Sequence, residues 1–272
     1  MINALERYIS QEEDFEIVRK NPFSKHQQGQ HDQKTHGFWA SGLYFIDREK
    51  DNFNERTDGK KVKKEYADKY STRVGSDGRN EPVGLSETQV ESITYYTSNG
   101  FTDVNGYLRG TIESDNGFRQ RKLERYVEGL DKLIEESPDG FGDKNLYRVF
   151  SKEVVNNLKE GDVLTDKGFV STTRIDITSV DNEQVLSNLK GTTEEDSSND
   201  VVALILPSAS GKGKGLAVDY LKTSIKSMTS NIATAKQEKE VLLPRESSLK
   251  FLGYQDVSDY DLEVAVFQRV DK

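Results

Sequence analysis

The sequence predicts an α+β fold, and three observations support that class. Apolar residues follow helical spacing over residues 85–137, runs of period two govern the chain beyond Gly142, and the two patterns do not alternate as βαβ units would. Ser86 is the N-cap of a first helix that carries Val90, Ile93 and Tyr96 or Thr97 on one face, with Gly100 as its stop. A second, short helix runs from Val104 to Leu108 and ends at Gly110. A third, over 118–137, sets Leu123, Val127, Leu130, Leu133 and Ile134 on one stripe, and Pro138 and Gly140 close it. Strand-like runs follow at 145–150, 168–173, 201–207, 240–244, 248–254 and 262–270. Helical stretches intervene at 151–159 and 179–190, and the polar, breaker-rich segments 191–200 and 227–237 read as loops. No internal repeat is visible.

Residues 1–80 have a different character. All three histidines, the single Trp and a cluster of Gln fall within 22–40, and 15 of the 24 residues at 47–70 are charged, both signs mixed. Such a stretch has too little apolar surface to offset its ordering entropy, which predicts a flexible tract or an isolated helix. GSDGRNEPVG (75–84) concentrates Gly, Asp, Asn and Pro and reads as a linker. The predicted organisation is therefore a polar arm over 1–80 and one folded domain over 85–272. Composition agrees: apolar residues make up 33%, or about 41% with the 21 Gly included, below the roughly 45–50% of a compact domain.

Charge and cysteine usage exclude several functions. The formal net charge is −9, which argues against nucleic-acid binding through bulk charge. There is no cysteine, so disulfide scaffolds, thiol catalysis and Cys-ligated zinc are ruled out. No apolar run approaches the ~18 residues of a membrane span. The first 20 residues carry acids where a signal peptide needs an apolar stretch, so none is expected.

Three features beside the strands carry polar chemistry. Arg148 sits within the apolar run Leu146 to Phe150, Ser171-Thr172-Thr173 ends the strand that begins at Gly168, and Glu238-Lys239-Glu240 precedes Val241-Leu242-Leu243-Pro244. Residues two apart in an extended segment share a side, so Glu238 and Glu240 would face one cleft with Lys239 turned away. This set suits chemistry on a pyrophosphate-bearing glycoside. A guanidinium fork holds phosphate oxygens. One carboxylate near a ribose hydroxyl stabilises positive charge developing at the anomeric carbon, and a second accepts a proton from the incoming nucleophile. Taken singly, each feature has a plainer reading: a salt bridge at a sheet edge, polar β surface, and a solvated strand end.

In combination, these features resemble the Arg–Ser–Glu class of mono-ADP-ribosyltransferases, which includes the clostridial Rho-modifying exoenzymes and the actin-modifying binary toxins. An arginine, an aromatic-x-S-T-S/T strand and E-x-E before V-L-L-P occur in the family's order. Ile93-Thr94-Tyr95-Tyr96-Thr97 through Val104-Asn105-Gly106-Tyr107-Leu108-Arg109 is similar to the family's Y-T-…-I-N-x-x-L-R helix pair, and the Gly-Lys-rich turn at 211–215 to its G-x-x-A-x-Y stretch. The resemblance implies two roughly perpendicular, mainly antiparallel β-sheets flanked by helices, with an NAD cleft between them and no metal. It implies that Arg148 contacts the NAD phosphates and the nicotinamide ribose side, that Asn105 and Arg109 grip the pyrophosphate, and that Ser171 orients the catalytic carboxylate of Glu240. Glu238 would select the acceptor, since Glu there goes with arginine and Gln with asparagine. Val149 stands where the family commonly has Gly, Thr173 replaces the last Ser, and the stretch 222–237 lacks the aromatic of several relatives. Phe169 either packs near the nicotinamide or belongs to the core.

The implied reaction moves ADP-ribose from NAD to an arginine of a host protein. Two other readings suit the same residues: an NAD glycohydrolase, in which water replaces the acceptor, and a non-enzymatic virion protein that keeps the fold. His26, His31 and His36 recur every five residues and, with Asp32, offer donors that suit zinc, although a flexible polar tract is the plainer reading. Their segment is similar to a linker-like stretch of phage virion-associated proteins. That implies a phage-encoded enzyme, placed in the virion beside other virion proteins or in the host cytoplasm after delivery.

Overall fold

Tyr66 and Tyr70 are completely buried, although they lie in the mixed-charge stretch expected to stay outside any core. The computed structural model describes residues 15–18, 53–112, 117–138, 140–178, 200–224, 239–257 and 262–271. Strand β1 spans Phe15–Val18. Helix α1, Asp58–Lys69, turns Gly59, Val62 and Tyr66 inward while Lys60, Lys61, Lys63 and Lys64 stay exposed. The Tyr66 hydroxyl accepts the Ala217 N–H at 2.8 Å, which ties α1 to a strand 151 residues away. The expectation of a flexible tract or isolated helix failed here because composition averages over both faces of an amphipathic helix. The predicted linker is a β-hairpin: β2 (Ser71–Val74) pairs antiparallel with β3 (Asn80–Val83).

Helix α2, Glu87–Tyr95, starts with a reciprocal cap: Ser86 Oγ accepts the Gln89 N–H, and Gln89 Oε1 accepts the Ser86 N–H. Gly100 does not stop the helix. The chain continues through a π-helical turn, Tyr96–Gly100, straight into α3, Phe101–Arg109. Gly100 keeps right-handed angles (φ −77°, ψ −9°), and a Cβ there would meet the Tyr95 ring at 2.2 Å, so this glycine permits a close contact. Termination comes at Gly110, whose φ of 82° is the left-handed cap the sequence indicated. Helix α4, Gly117–Glu136, buries the expected stripe with Tyr126 added.

The strands are β4 (Leu146–Ser151), β5 (Val163–Asp166), β6 (Val170–Thr173), β7 (Asp200–Leu206), β8 (Leu216–Ala217), β9 (Glu240–Leu243), β10 (Ser247–Val257) and β11 (Leu262–Arg269). Short helices α5 (Lys152–Asn156) and α6 (Val218–Ser224) complete the described elements. The predicted helix at 179–190 and loop at 227–237 lie outside the described residues, as does the loop at 191–200 except for Asp200, which opens β7.

The fold is α+β. The large sheet runs β1-β5-β10-β11-β7-β4-β6-β9-β8, with β11–β7 parallel and its other described pairings antiparallel. Its narrowest seam is between β4 and β6, where Tyr147–Thr173 is the one registered pair. Alternation sorts the central strands: Leu146, Phe150, Ala203, Ile205, Ala265 and Phe267 enter the main core with the helices. Tyr147, Val149, Val202, Leu204, Val264 and Val266 form a smaller cluster on the other face. Among the described residues, no helix is long and apolar enough to cross a membrane.

Candidate active site

Arg148, Ser171 and Glu240 arrive on three strands and meet at the seam between β4 and β6. Arg148 is 6% exposed and shares a face with Leu146 and Phe150, its guanidinium 5.1 Å from the Phe150 ring centre. Arg148 Nη1 donates to the Ser171 carbonyl oxygen at 3.1 Å, a side-chain bond where the β4–β6 ladder is shortest. The Ser171 hydroxyl donates to Glu240 Oε1 at 2.7 Å. Because Ser171 registers with Leu242 and Thr173 with Glu240, Ser171 and Glu240 are diagonal neighbours on one face of the ladder. Both are half-buried. Thr172 points the other way and donates to the Val241 carbonyl at 2.6 Å. The result is an aimed carboxylate beside a buried cation, suited to steadying developing positive charge near a bound anion.

Asn105 and Arg109, expected at the pyrophosphate, are both engaged by protein partners. Asn105 is 1% exposed and clamps Phe169: its Oδ1 accepts the Phe169 N–H at 2.9 Å, and its Nδ2 donates to the Phe169 carbonyl at 3.3 Å and to the Tyr96 hydroxyl at 3.1 Å. Arg109 forms a two-pronged pair with Asp166, Nε–Oδ1 at 3.0 Å and Nη2–Oδ2 at 2.8 Å, with side chains 2% and 4% exposed. Asp166 also accepts the Gly168 N–H at 2.8 Å. Both side chains therefore hold the β5–β6 turn onto α3, since these buried groups are satisfied by protein partners. Phe169 is a core residue, fully buried with its ring edge-on to Tyr96.

Glu238 lies outside the described residues, as do the three histidines and Asp32. The alternation argument for Glu238 and Glu240 does not apply, because Lys239 has φ 47° and the strand begins only at Glu240. Lys239 points its Nζ to Glu55 Oε1 at 3.2 Å. Among the described residues, no group of three or more His, Cys, Asp or Glu side chains is placed to hold a metal. A groove over α4, lined by Tyr107, Glu124, Val127, Asp131 and Arg245 among others, contains none of the three meeting residues.

The model of the ADP-ribosyltransferase exoenzyme family matches residues 59–268. The chain belongs to that family. Its reaction is NAD-dependent mono-ADP-ribosylation. Similar solved structures include the Staphylococcus aureus C3stau2 with NAD (TM-score 0.51, 14% identity, covering 81% of this chain and 98% of that one). The ADP-ribosyltransferase Vis from Vibrio splendidus, in complex with an inhibitor, is another (TM-score 0.50, 16% identity, covering 84% and 90%). At these identities the likeness concerns the fold. No curated protein matches the sequence significantly.

At the end of β6 lies a cluster that sequence reasoning missed. Arg174, immediately after S-T-T, donates from Nε to Glu55 Oε1 at 2.8 Å and from Nη1 and Nη2 to the two Asp219 oxygens at 2.8 and 2.7 Å. Nη1 also reaches the Lys239 carbonyl at 3.2 Å, and the guanidinium lies 4.4 Å from the Tyr220 ring centre. Burial opposes charge on Arg174, but Asp219 and Glu55 overcome it and raise its pKa further. Burial also opposes charge on Glu55, yet Arg174 and Lys239 hold its carboxyl below the usual range. The position after S-T-T was the only local signal; nothing local pointed to Glu55, 119 residues away.

Proposed function

We propose that the transferase modifies an arginine of a host protein, with Glu240 as its catalytic carboxylate. The Ser171–Glu240 hydrogen bond beside Arg148 supports the assignment of Glu240, and the arginine acceptor rests on Glu238 in the sequence. With NAD as substrate, Glu240 bonds the nicotinamide ribose and stabilises the oxocarbenium-like state as the bond to nicotinamide breaks. Ser171 keeps that carboxylate from rotating away. Arg148, tied to the Ser171 carbonyl, supplies fixed positive charge for the NAD phosphates. Glu238, two residues before Glu240, attracts the acceptor guanidinium and takes a proton from it as the new glycosidic bond forms. Asn105 and Arg109 act from behind by fixing the β5–β6 turn.

A glycohydrolase would need Glu240 but has less use for Glu238, which favours transfer. The deciding experiment incubates the enzyme with labelled NAD and a host lysate, then maps modified residues by mass spectrometry. Label on arginine supports the proposal. Label on asparagine overturns the acceptor assignment, and nicotinamide release with no labelled protein overturns transfer.

A further inference from the structure

We infer that Arg174 is a positioning residue for this reaction, acting through the backbone of Lys239 and held in place by Glu55 and Asp219. The inference rests on the reading of Glu240 as the catalytic carboxylate. Glu240 is the first residue of β9, so its direction depends on how the chain enters the strand. The residue before it, Lys239, adopts a left-handed backbone at φ 47°, which a non-glycine side chain keeps only where its surroundings hold it. Arg174 supplies that hold twice: its backbone N–H and its Nη1 both donate to the Lys239 carbonyl, at 3.4 and 3.2 Å.

The guanidinium is itself immobilised. Its side chain is 1% exposed, and it is gripped in a two-pronged pair by Asp219 of α6 and at Nε by Glu55. Glu55 is shared, since its Oε1 also pairs with Lys239 Nζ and its Oε2 accepts from the Tyr220 hydroxyl at 3.1 Å. Arg174 thus holds the Lys239 carbonyl, Glu55 holds both Arg174 and the Lys239 ammonium, and Asp219 holds Arg174. Glu55, ahead of α1, thereby becomes part of the support beneath the residue that leads into Glu240. A lysine could keep the charge at 174 but could not make the fork, because an ammonium is a point donor.

The test uses the full chain with NAD alone, reading nicotinamide release so that no acceptor is needed. Glu55→Ala removes one anchor of Arg174 by truncating a Glu55 side chain that is 40% exposed, and Arg174→Lys removes the fork. Both are expected to lower kcat by about 10-fold or more, as misplacement of a catalytic group does, while KM for NAD changes less than about twofold. These rates are compared well below each variant's unfolding temperature, where a merely structural role leaves kcat intact. An unchanged kcat in folded Glu55→Ala overturns the inference, and this variant decides the matter if Arg174→Lys fails to fold. Glu240→Ala is the control. If it keeps full activity, the reading of Glu240 fails and the inference with it. If it is inactive while Glu55→Ala is normal, the positioning role alone fails.

Discussion

The Ser171 hydroxyl reaches Glu240 Oε1 at 2.7 Å across the diagonal of the β6–β9 ladder. Ser171 is directly opposite Leu242, and Glu240 stands two residues along β9 from that pair. The two-residue offset brings hydroxyl and carboxylate together on one face and sets the acid's rotamer before any substrate arrives.

Removing either partner separates chemistry from aim. Glu240→Ala is expected to lower nicotinamide release by about 10²–10³-fold, the scale of losing one preorganised electrostatic group. Ser171→Ala keeps the acid but frees it to rotate, and a loss of about 10-fold is expected. Steady-state nicotinamide release, with circular dichroism to confirm folding, checks both.

Glu238→Gln should abolish transfer to arginine while leaving some NAD hydrolysis. Parallel measurements of labelled protein and free ADP-ribose would show the split. Equal losses in both would count against separate roles for the two glutamates.

Arg109→Ala should act on stability. It leaves Asp166 buried without its guanidinium, and breaking such a pair costs about 3–5 kcal/mol. Urea unfolding of the variant would show the drop in midpoint. A normal midpoint with a raised KM for NAD would instead restore the pyrophosphate role.

Tyr66→Phe tests whether α1 belongs to the folded unit. The change strands the buried Ala217 N–H, at a cost of about 1–3 kcal/mol. Thermal unfolding that matches wild type would mean that α1 does not contribute to the core.

The Glu55 ion pairs should be sensitive to acid. Its folded-state pKa is depressed, so its contribution is present above the unfolded carboxylate value and is lost as pH falls through the depressed one. The groups facing it are Arg174, Lys239 and Tyr220. The stability difference between wild type and Glu55→Gln, measured by urea unfolding, should be full at pH 7. It should shrink towards zero as pH falls below about 4, the ordinary carboxylate range.

Much of this molecule was legible in the linear chain. The cap at Ser86, the stop at Gly110, the stripe of α4 and the strands around Arg148, Ser171 and Glu240 all follow from spacing within a few residues. Local rules failed where a residue's job depends on something distant. Gly100 looked like a terminator because its contact with the Tyr95 ring has no sequence signature. The charged stretch at 47–70 read as a flexible tract or an isolated helix because residue counts do not show that Val62 and Tyr66 share one side of a helix.

The sequence by itself determined the order of the elements and which side chains could do chemistry, because periodicity, caps and motif spacing are short-range properties of the backbone. Only the tertiary structure decided which polar groups are spent on holding the site. Asn105 on Phe169, Arg109 on Asp166 and Arg174 between Glu55, Asp219 and Lys239 are matched across 45 to 119 residues of chain. Burying a charge requires a partner, and which partner is near is settled by packing, not by neighbourhood in the chain.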